Sequence, residues 1–575
     1  MYIQYINMAG GLLNLISVGS NNIFLTGNPT KTFFKVKYSK YTNFGLQKFR
    51  LDYDGQRDLR LTESSTFTFK VNRNADLLMD TYIVMNLPDI WSPIMNPTPT
   101  NTNQWSSYDF KWIKNLGIQM IEQITITCGN YTIQQYSGQY LYNMVERDFP
   151  AAKKELFYKM TGNVPELYDP ANAYSRINTY PSAFYTGTID GQNVNPKGSE
   201  PSIRGRQLYI PINTWFTMDS RCAFPLICLQ NNELFINVTF RPIQELFQVR
   251  DVFDYGNNYP YVQPDFNQPQ FNMHYFLQSP PEYEMYDPTG IYDPYLNKTN
   301  IWNADIHIMA TYAFLSNEEA RSFAAEDQVY LIKDVFEYNF QNITGSQKVQ
   351  LTSNGMIANW MFYLQRNDAN MRNEWSNYTN WPYNILPVNI IDAPYDISMG
   401  YGPLIQNPPN FASGNTANIG ESTGYFYTGG FQPVNHKSIL ETLGILFDGG
   451  YRENTLTNGI YEYVEKYGRS VGGCNVDGLY CYNFCLNTSP FEYQPTGAIN
   501  LSKFRTIELE LTTYVPPIDT ANSNITTIYD EAGNPIGINK LNWRLYEYNF
   551  NLTVFEERYN VISFIGGNCG LMYAR

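Results

Sequence analysis

The sequence predicts an all-β protein with a duplicated β-domain, and three observations support this prediction. First, aromatic residues make up 16% of the chain, with 48 Tyr and 35 Phe, and the half-buried faces of strands accommodate rings well. Second, apolar and polar residues alternate over short segments, which is the period of a strand with one solvated face. Third, these segments are bounded by Gly, Pro and Asn and fall into two series of similar length. Many short strands at this spacing favour β-sandwiches or jelly rolls.

The first series of predicted strands begins in the segment TFFKVKYSKY. Here Phe34, Val36 and Tyr38 fall on one face of a strand, and the intervening lysines fall on the other. One helical interruption, GQYLYNMVERDFPAAKKELFYKM, follows Ser137 and has apolar residues at a spacing of three to four. The other predicted strands of this series are TNFGLQKFRLDYDG, STFTFKVNR, DTYIVMNLP, IEQITITCGNYTIQQY, RQLYIPINTWF, FPLICLQ and NELFINVTFRP.

The second series of predicted strands begins near residue 301, after a stretch rich in Pro, Asn and Tyr that reads as a linker or surface excursion. Its predicted strands are NADIHIMATYAFL, YLIKDVFEYNF, IANWMFYLQR, SILETLGILFDGG, FRTIELELTTYV and RLYEYNFNLTVFEERYNVISF. Long loops are expected between strands, and such loops usually carry function. The expected loops span residues 88–110, 160–205, 249–300 and 366–435.

Positive charge is concentrated at the amino terminus of an acidic chain. The formal net charge is −14, yet residues 1–51 contain six basic side chains and no acidic one. Lys31, Lys35, Lys37 and Lys40 lie within ten positions of each other. Such asymmetry indicates two surfaces with different neighbours.

Enzymatic function is not indicated by the sequence. The three histidines, His274, His307 and His436, are widely separated. Cys474, Cys481 and Cys485 lie close together, but their spacing does not match a structural zinc site, so buried thiols are the expected explanation. No phosphate-binding glycine loop, zinc-protease helix or nucleophilic serine elbow is present. The acidic pairs Glu318–Glu319 and Glu556–Glu557 are expected to be solvated, and we expect no cofactor and no metal.

The sequence also bears on compartment and nucleic-acid binding. Seven cysteines in a chain of this size predict reduced thiols of an intracellular compartment. No segment resembles a signal peptide or a membrane-spanning helix. A net negative chain repels phosphate except at its amino end, so no specific nucleic-acid partner is expected.

Eight segments, which span nearly the whole chain, form an ordered set of motifs: AGGLLNLISVGSNNIFLTGNPTKTFFKVKYSKYTNF, ADLLMDTYIVMNLP, RQLYIPINTWF, AFPLICLQNNELFINVTF, ATYAFLSNEEARSFA, YLIKDVFEYNF, YQPTGAINLSKF and RYNVISFIGGNCGLMY. In this order they resemble the major capsid proteins of nucleocytoplasmic large DNA viruses, and the resemblance looks closest to the mimivirus-like branch. One departure is TCGNYTI, where the family commonly has paired glycines and Cys128 here precedes Gly129.

The resemblance implies a double jelly roll, that is, two eight-stranded sandwiches in tandem, three copies of which form a pseudo-hexagonal capsomer. Function would be structural: the capsomers tile the icosahedral shell of a virion, which is assembled in the host cytoplasm. The expected segments are an amino-terminal arm (1–24), a first jelly roll (25–248), a linker and surface excursion (249–300) and a second jelly roll with the carboxy-terminal strand (301–575).

The resemblance also implies that the amino-terminal arm lies on the inner side of the capsomer. If the first predicted strand faces inward with the arm, Lys31, Lys35, Lys37 and Lys40 would contact minor capsid proteins or the internal membrane, while other surfaces contact sister subunits and neighbouring capsomers. The alternative is that these lysines are the solvated face of an ordinary strand, where lysine discourages aggregation.

A second function stays open from sequence alone. Tyrosines and tryptophans on long loops could stack on sugar rings, which would fit a carbohydrate-binding or carbohydrate-cleaving β-sandwich. A capsid subunit should elute as a trimer without glycan turnover, whereas a lectin or glycosidase should bind a glycan column.

Overall fold

The structure is a computed structural model in which residues 1–44 and 45–575 form two compact units. It describes residues 10–17, 19–55, 58–95, 106–107, 109–176, 180–181, 183, 187–189, 192–194, 200–250, 261–280, 295–381, 390–392, 425–427, 437–492, 494–516, 525–529, 535–540 and 548–573.

Strands dominate the second unit. Those up to residue 315 are β1 (Phe44–Leu51), β2 (Tyr53–Asp54), β3 (Ser65–Val71), β4 (Leu77–Asn86), β5 (Ile94–Met95), β6 (Ser106–Ser107), β7 (Phe110–Trp112), β8 (Ile121–Cys128), β9 (Tyr131–Ser137), β10 (Gly187–Ile189), β11 (Gln192–Val194), β12 (Gln207–Pro211), β13 (Phe224–Pro225), β14 (Leu234–Phe240), β15 (Phe247–Arg250), β16 (Tyr261–Val262) and β17 (His307–Leu315). Those that follow are β18 (Gln328–Ile343), β19 (Ser346–Gln350), β20 (Met356–Arg366), β21 (Ile390–Asp392), β22 (Tyr425–Tyr427), β23 (Leu440–Phe447), β24 (Gly450–Thr457), β25 (Leu479–Asn483), β26 (Ile499–Asn500), β27 (Ile507–Thr513), β28 (Ile525–Tyr529), β29 (Pro535–Lys540), β30 (Phe550–Ile565) and β31 (Asn568–Leu571).

Helices are short and lie in the arm or between strands. They are α1 (Gly10–Ile16), α2 (Ser20–Thr26), α3 (Leu116–Gln119), α4 (Gly138–Asp148), α5 (Ala151–Thr161), α6 (Pro165–Tyr168), α7 (Trp215–Met218), α8 (Asn317–Ala325) and α9 (Glu465–Arg469), the last preceded by a π-helix over Ile460–Val464. Single 3-10 turns occur at Ser220–Cys222, Leu226–Cys228, Ile243–Glu245, Pro269–Phe271, Met273–Tyr275, Ala369–Arg372 and Leu501–Lys503.

Two sandwiches with the same strand order make up the second unit. In the first, one sheet has the order β1-β17-β4-β12, and the other has β3-β14-β8-β9 with β2 at its edge. In the second, the sheets are β18-β30-β20-β25 and β19-β27-β23-β24. When the eight main strands of each sandwich are numbered along the chain, both sandwiches read 1-8-3-6 and 2-7-4-5. This shared order confirms the predicted all-β double jelly roll.

The alternation that predicted the strands matches their burial. In β3, the side chains of Phe67, Phe69 and Val71 are buried while those between them are more exposed. The same alternation follows β14, which pairs with both β3 and β8. These faces fill one apolar core in the first sandwich, and a second core around Trp360 fills the other sandwich.

Two strand predictions are wrong. Residues 32–41 form neither strand nor helix, and the first strand begins only at Phe44. None of the strands that the structure describes pairs with this stretch, and alternation without a paired neighbour does not make a strand. The predicted strand around residue 310 was assigned to the second series. As β17 it pairs with β4, so it is the eighth strand of the first sandwich.

This pairing changes the expected division of the chain. The stretch 249–300 lies between the seventh and eighth strands of the first sandwich rather than between the jelly rolls. The connection between the sandwiches is the segment from β17 to β18, which contains α8. The other limits of the predicted segments remain predictions.

The predicted helical interruption is confirmed as α4 and α5, which are separated at Phe149 and Pro150. The Ser137 hydroxyl caps α4 by accepting a hydrogen bond from the backbone N–H of Tyr140. The predicted long loops lie partly outside the described residues. In the part of the chain that the structure describes, no helix is long and apolar enough to cross a membrane.

Candidate functional site

Helix α4 of the first sandwich is enclosed at the junction with the second sandwich. It lies between the fifth and sixth strands of the first sandwich, and every residue from Gly138 to Asp148 is buried. A surface helix would keep one polar face in water. Since α4 does not, its charged side chains need partners inside the protein.

Arg147, near the end of α4, connects the two sandwiches. Its Nη2 donates to Asp148 Oδ2 at 2.8 Å and to Glu557 Oε1 at 2.7 Å. Its Nη1 donates to Asn359 Oδ1 at 2.8 Å, and Asn359 Nδ2 donates to Glu557 Oε2 at 2.8 Å. Asn359 lies on β20 and Glu557 on β30, so one guanidinium joins the first sandwich to two strands of the second. We call Arg147, Asp148, Asn359 and Glu557 the junction cluster.

The charges of the junction cluster are withdrawn from water. The three ionisable side chains are at most 2% exposed. Burial raises the pKa of Asp148. Burial also acts to raise the pKa of Glu557, but Arg147 and the Lys333 ammonium, 3.9 Å from its Oε2, outweigh it and hold the pKa at about 2. Glu557 is therefore ionised at neutral pH, and the ion pair depends on both sandwiches being in place.

A second set of contacts comes from the segment that follows β20. The Tyr378 hydroxyl donates to Gln139 Oε1 of α4 at 2.6 Å. Trp375 Nε1 donates to the backbone carbonyl of Glu245 in the first sandwich at 3.0 Å. The apolar core of the first sandwich also continues to Phe555 on β30. The two sandwiches therefore contact each other through apolar packing and through specific hydrogen bonds between named side chains.

The prediction that Glu556 and Glu557 are solvated is wrong, since both are buried. Successive side chains of a strand point to opposite faces. Glu557 meets the junction cluster, whereas Glu556 accepts from Trp360 Nε1 at 2.8 Å and from Arg558 Nε at 2.5 Å. In the first turn of α8, Glu318 is exposed as predicted, whereas Glu319 is partly buried.

The four predicted contact lysines, Lys31, Lys35, Lys37 and Lys40, all lie in the amino-terminal unit. Their side chains are exposed, and they sit in the stretch without helix or strand that follows α2. The Lys31 ammonium lies 5.4 Å from the centre of the Phe33 ring. Large apolar side chains of this unit are exposed as well, among them Phe24 at 97% and Phe34 at 98%. This unit, residues 1–44, is longer than the predicted arm of residues 1–24, and we call the whole unit the arm from here on. The arm presents basic and apolar groups together.

The cysteines and histidines occupy structural positions. Cys481 and Cys485 are buried, as predicted, and Cys474 is partly buried. His274 and His307 are buried, and His436 lies outside the described residues. Among the described residues, no group of three His, Cys, Asp or Glu side chains is arranged to hold a metal.

Sequence reasoning missed the junction cluster, although a signal was present. FEERYN interrupts the long apolar strand NLTVFEERYNVISF, and charge inside a buried strand requires an internal partner. Likewise, VERD closes a helix whose other residues are mostly apolar or aromatic. The sequence did not indicate that Arg147 contacts Glu557, because 410 residues separate them.

Comparisons with known proteins agree with this architecture. One family model, "Major capsid protein N-terminus", matches residues 32–278, and a second, "Large eukaryotic DNA virus major capsid protein", matches residues 319–570. The major capsid protein of Phaeocystis pouchetii virus is 24% identical over 99% of this chain and 100% of that protein. The major capsid protein of Chrysochromulina ericina virus is 26% identical over 61% of this chain and 56% of that protein.

A solved structure shows the same fold. The Faustovirus major capsid protein superposes with a TM-score of 0.58 at 13% identity, covering 95% of this chain and 94% of that one. The place of this chain within the mimivirus-like branch remains a prediction. Because the two family models together match most of the sequence, and because the double jelly roll is seen in the fold, this chain belongs to the major capsid proteins of large eukaryotic DNA viruses.

Proposed function

We propose that this chain is the shell-forming subunit of an icosahedral virion and that three copies associate into a capsomer. The observation that carries the proposal is the pair of sandwiches with the same strand order, joined within one compact unit. Three such subunits around an axis supply six similar lobes, which gives a pseudo-hexagonal outline. Such an outline suits a tile that must contact neighbouring capsomers on six sides.

The trimer is proposed to close head to tail. The two sandwiches of one chain differ in their loops and helices, so the flanks that meet are different surfaces, and a rotation of one third of a turn closes the ring. An obligate interface of this kind commonly buries more than about 2,000 Å² of mainly apolar surface. The junction cluster supports this role because it holds both lobes in one arrangement before they meet a partner.

The amino-terminal arm is proposed to bind minor capsid proteins or the internal membrane through Lys31, Lys35, Lys37 and Lys40. Two features support this: the lysines and many apolar side chains are exposed together, and α1 and α2 are only seven residues long. Isolated helices of that length are marginal in water and gain stability from a partner. The alternative was that these lysines form the solvated face of an ordinary strand. It is not favoured, because residues 32–41 form no strand.

The proposed role is structural rather than enzymatic. The buried carboxylates Asp148, Glu556 and Glu557 are held in ion pairs and hydrogen bonds between elements of the fold. A net charge of −14 disfavours a specific nucleic-acid partner. Assembly in the host cytoplasm is proposed because all seven cysteines are free thiols, which suits a reducing compartment.

The trimer can be tested with the purified full-length chain. Size-exclusion chromatography with light scattering should give about three times the chain mass of 66.5 kDa at micromolar concentration. Electron microscopy of the same fraction should show particles with a pseudo-hexagonal outline. A stable monomer, or a twofold dimer, would contradict the proposal.

A further inference from the structure

A cavity of about 80 Å³ lies between the two sandwiches, beside the junction cluster. Residues of α4 and of β9, an edge strand of the first sandwich, line one side of it. Residues of β18 and β30 of the second sandwich line the other side, together with the segment 213–215 that follows β12. The volume has room for roughly five water molecules or for one small organic molecule.

Contacts between the sandwiches hold the walls of this cavity in place. Gln134 Nε2 on β9 donates to the backbone carbonyl of Lys333 on β18 at 3.0 Å. The Trp215 ring lies 5.6 Å from the Tyr330 ring of β18 and 5.9 Å from the Phe224 ring of β13, measured between ring centres. The lining side chains are therefore positioned before any ligand binds, which lowers the entropic cost of binding.

Four polar atoms in the walls are buried and have no hydrogen-bond partner among the described residues: Gln134 Oε1, Asn213 Nδ2, Thr214 Oγ1 and Trp215 Nε1. The side chains of Gln134 and Thr214 are only 4% and 1% exposed. Thr214 directly precedes α7, yet its hydroxyl does not cap that helix. Buried polar groups of native proteins are nearly always hydrogen-bonded. Four unpartnered atoms around one cavity indicate that their partner is a bound molecule.

These atoms specify which hydrogen-bonding groups the ligand carries. Trp215 Nε1 and Asn213 Nδ2 only donate, so the ligand must supply an acceptor. Gln134 Oε1 only accepts, and its position is fixed because Nε2 of the same amide donates to the Lys333 carbonyl. The ligand must therefore also supply a donor. A carboxamide carries both groups on one planar unit, and the Thr214 hydroxyl can pair with either.

The charges around the cavity favour an uncharged ligand. Four carboxylates and one cation line it: Asp148, Asp219, Glu492, Glu557 and Lys333. Arg147 and Arg221 pair with three of these carboxylates, so carboxylates still outnumber cations by one. An anionic ligand would be repelled by this excess. A cationic ligand that only donates would leave Trp215 Nε1 and Asn213 Nδ2 without an acceptor.

The rest of the lining is apolar and suits a ring. It includes Met144 of α4, Met218 of α7 and Leu331 of β18. Methionine thioethers make favourable contacts with aromatic rings and adapt to their shape. The Lys333 side chain is 19% exposed, so the cavity can be reached from solvent beside it.

We propose that this cavity binds a small uncharged aromatic carboxamide. The carbonyl oxygen of the ligand accepts from Trp215 Nε1 and Asn213 Nδ2, its NH₂ group donates to Gln134 Oε1, and its ring packs on the apolar wall. Because the walls come from both sandwiches, the ligand stabilises their arrangement and raises the melting midpoint of the chain. The proposal does not depend on the proposed shell function.

Three ligands of nearly the same shape test the proposal on the wild-type, full-length chain. Benzamide, benzoate and benzamidinium share a ring and a planar head group, and they differ in charge and in hydrogen-bonding groups. Titrations followed by saturation-transfer NMR give the three dissociation constants. We expect benzamide to bind saturably and at least about tenfold more tightly than the others. Benzoate has no donor for Gln134, and benzamidinium has no acceptor for Trp215.

A pair of threonine variants locates the binding site. Thr214→Val removes the unpartnered hydroxyl at constant shape and should weaken benzamide binding at least about fivefold. In the absence of ligand its melting midpoint should equal or exceed that of the wild type, because no hydrogen bond is lost. Thr161→Val is the control, since Thr161 is also 1% exposed but its hydroxyl donates to the Phe157 carbonyl at 2.8 Å. It should lower the melting midpoint and leave benzamide affinity unchanged.

Four results would overturn the proposal. If wild-type protein gives no saturable benzamide binding, the cavity holds water only. The others are benzoate or benzamidinium binding as tightly as benzamide, unchanged benzamide affinity in Thr214→Val, and a melting midpoint that Thr214→Val lowers as much as Thr161→Val does. The ligand series needs no variant, so a variant that fails to fold does not remove the test. Trimer formation is measured without ligand, so failure here leaves the proposed shell function standing.

Discussion

Folded proteins usually bury apolar side chains and leave charged ones in water. The amino-terminal arm departs from this rule by exposing apolar side chains, and the junction cluster departs from it by burying charged ones. In the arm, the side chains that the structure describes within residues 12–44 are all exposed, including those of Phe24, Phe34 and the four lysines. In the junction cluster, Arg147, Asp148 and Glu557 are buried. The arm leaves apolar groups in water, whereas the junction removes charges from water.

The difference indicates where each region finds its partner. A buried charge must be paired within the same fold, because an unpaired one costs several kcal/mol. An exposed apolar patch, in contrast, commonly marks a surface for another molecule. The junction is therefore complete in a single chain, whereas for the arm we propose a partner outside the chain. Five predictions break or sharpen this contrast; the first four are given in order of decreasing effect on stability, and the fifth concerns binding.

The largest effect is expected for Arg147→Met. It leaves Asp148 and Glu557 buried without their shared cation, so the free energy of unfolding should fall by about 3–5 kcal/mol. Urea unfolding at a fixed protein concentration measures the change. As a control, Arg204→Met removes an exposed ion pair with Glu200 and should cost less than about 1 kcal/mol. Equal effects of the two variants would show that the junction does not depend on the ion pair.

Glu557→Gln tests the charge of the same cluster through pH. At neutral pH it should cost about 2–3 kcal/mol, because charge-assisted hydrogen bonds are lost. The folded-state pKa of Glu557, about 2, lies below the ordinary carboxyl value of 4.5. Its stabilising contribution is therefore present above about pH 4.5 and is lost as the pH falls through about 2.

Thermal unfolding across this pH range should show the Glu557→Gln variant and the wild type converging in acid. Glu200→Gln, in the exposed pair with Arg204, should follow the wild type at every pH. A constant gap between Glu557→Gln and the wild type would contradict the assigned ionisation.

Gly472→Ala tests the packing around the end of α4. The N–H of Gly472 donates to the carbonyl of Arg147 at 3.0 Å, and an added Cβ would lie 2.5 Å from that oxygen and 2.7 Å from the Phe149 carbonyl oxygen. The backbone would have to move to accommodate this Cβ. We therefore expect the free energy of unfolding, measured in urea, to fall by about 1–3 kcal/mol. Gly468→Ala is the matched control, since its Cβ meets no atom within 4 Å. If both variants behave alike, close packing at Gly472 is not required.

The smallest effect on stability is expected in the arm. Deleting residues 1–24 should leave both sandwiches folded, with the free energy of unfolding changed by less than about 0.5 kcal/mol. Circular dichroism and thermal unfolding measure this. If the truncated chain does not fold, the arm belongs to the core and the contrast with the junction fails.

The binding role of the arm needs a separate measurement. Reversing Lys31, Lys35, Lys37 and Lys40 to Glu should weaken sedimentation with anionic lipid vesicles at least about tenfold, since each near-surface lysine contributes about 1 kcal/mol. The control reverses four other exposed lysines, Lys153, Lys159, Lys348 and Lys503. Equal losses would indicate general electrostatics rather than the arm. If the wild type does not bind vesicles, minor capsid proteins are the remaining partners for the arm.

Local patterns predicted strands where a neighbour was available to complete them. Alternation identified β3 correctly, and Phe67, Phe69 and Val71 are buried between β3 and the rest of the first core. The same alternation in residues 32–41 was misleading, because a strand also needs a neighbouring strand to pair its backbone N–H and C=O groups, and none of the described strands pairs with that stretch. The candidate site was predicted only in its lysines. The junction cluster was missed because contact between Arg147 and Glu557 is set by long-range packing.

The sequence by itself determined the all-β class, the duplication, the helical interruption at α4 and α5, and the family, because periodicity, turn residues and ordered motifs are local properties of the chain. Only the tertiary structure decided that β17 completes the first sandwich and that Glu557 is buried against Arg147. Both contacts join residues more than 200 positions apart. Such pairings depend on which surfaces exclude water together in the folded chain, and no local pattern encodes them.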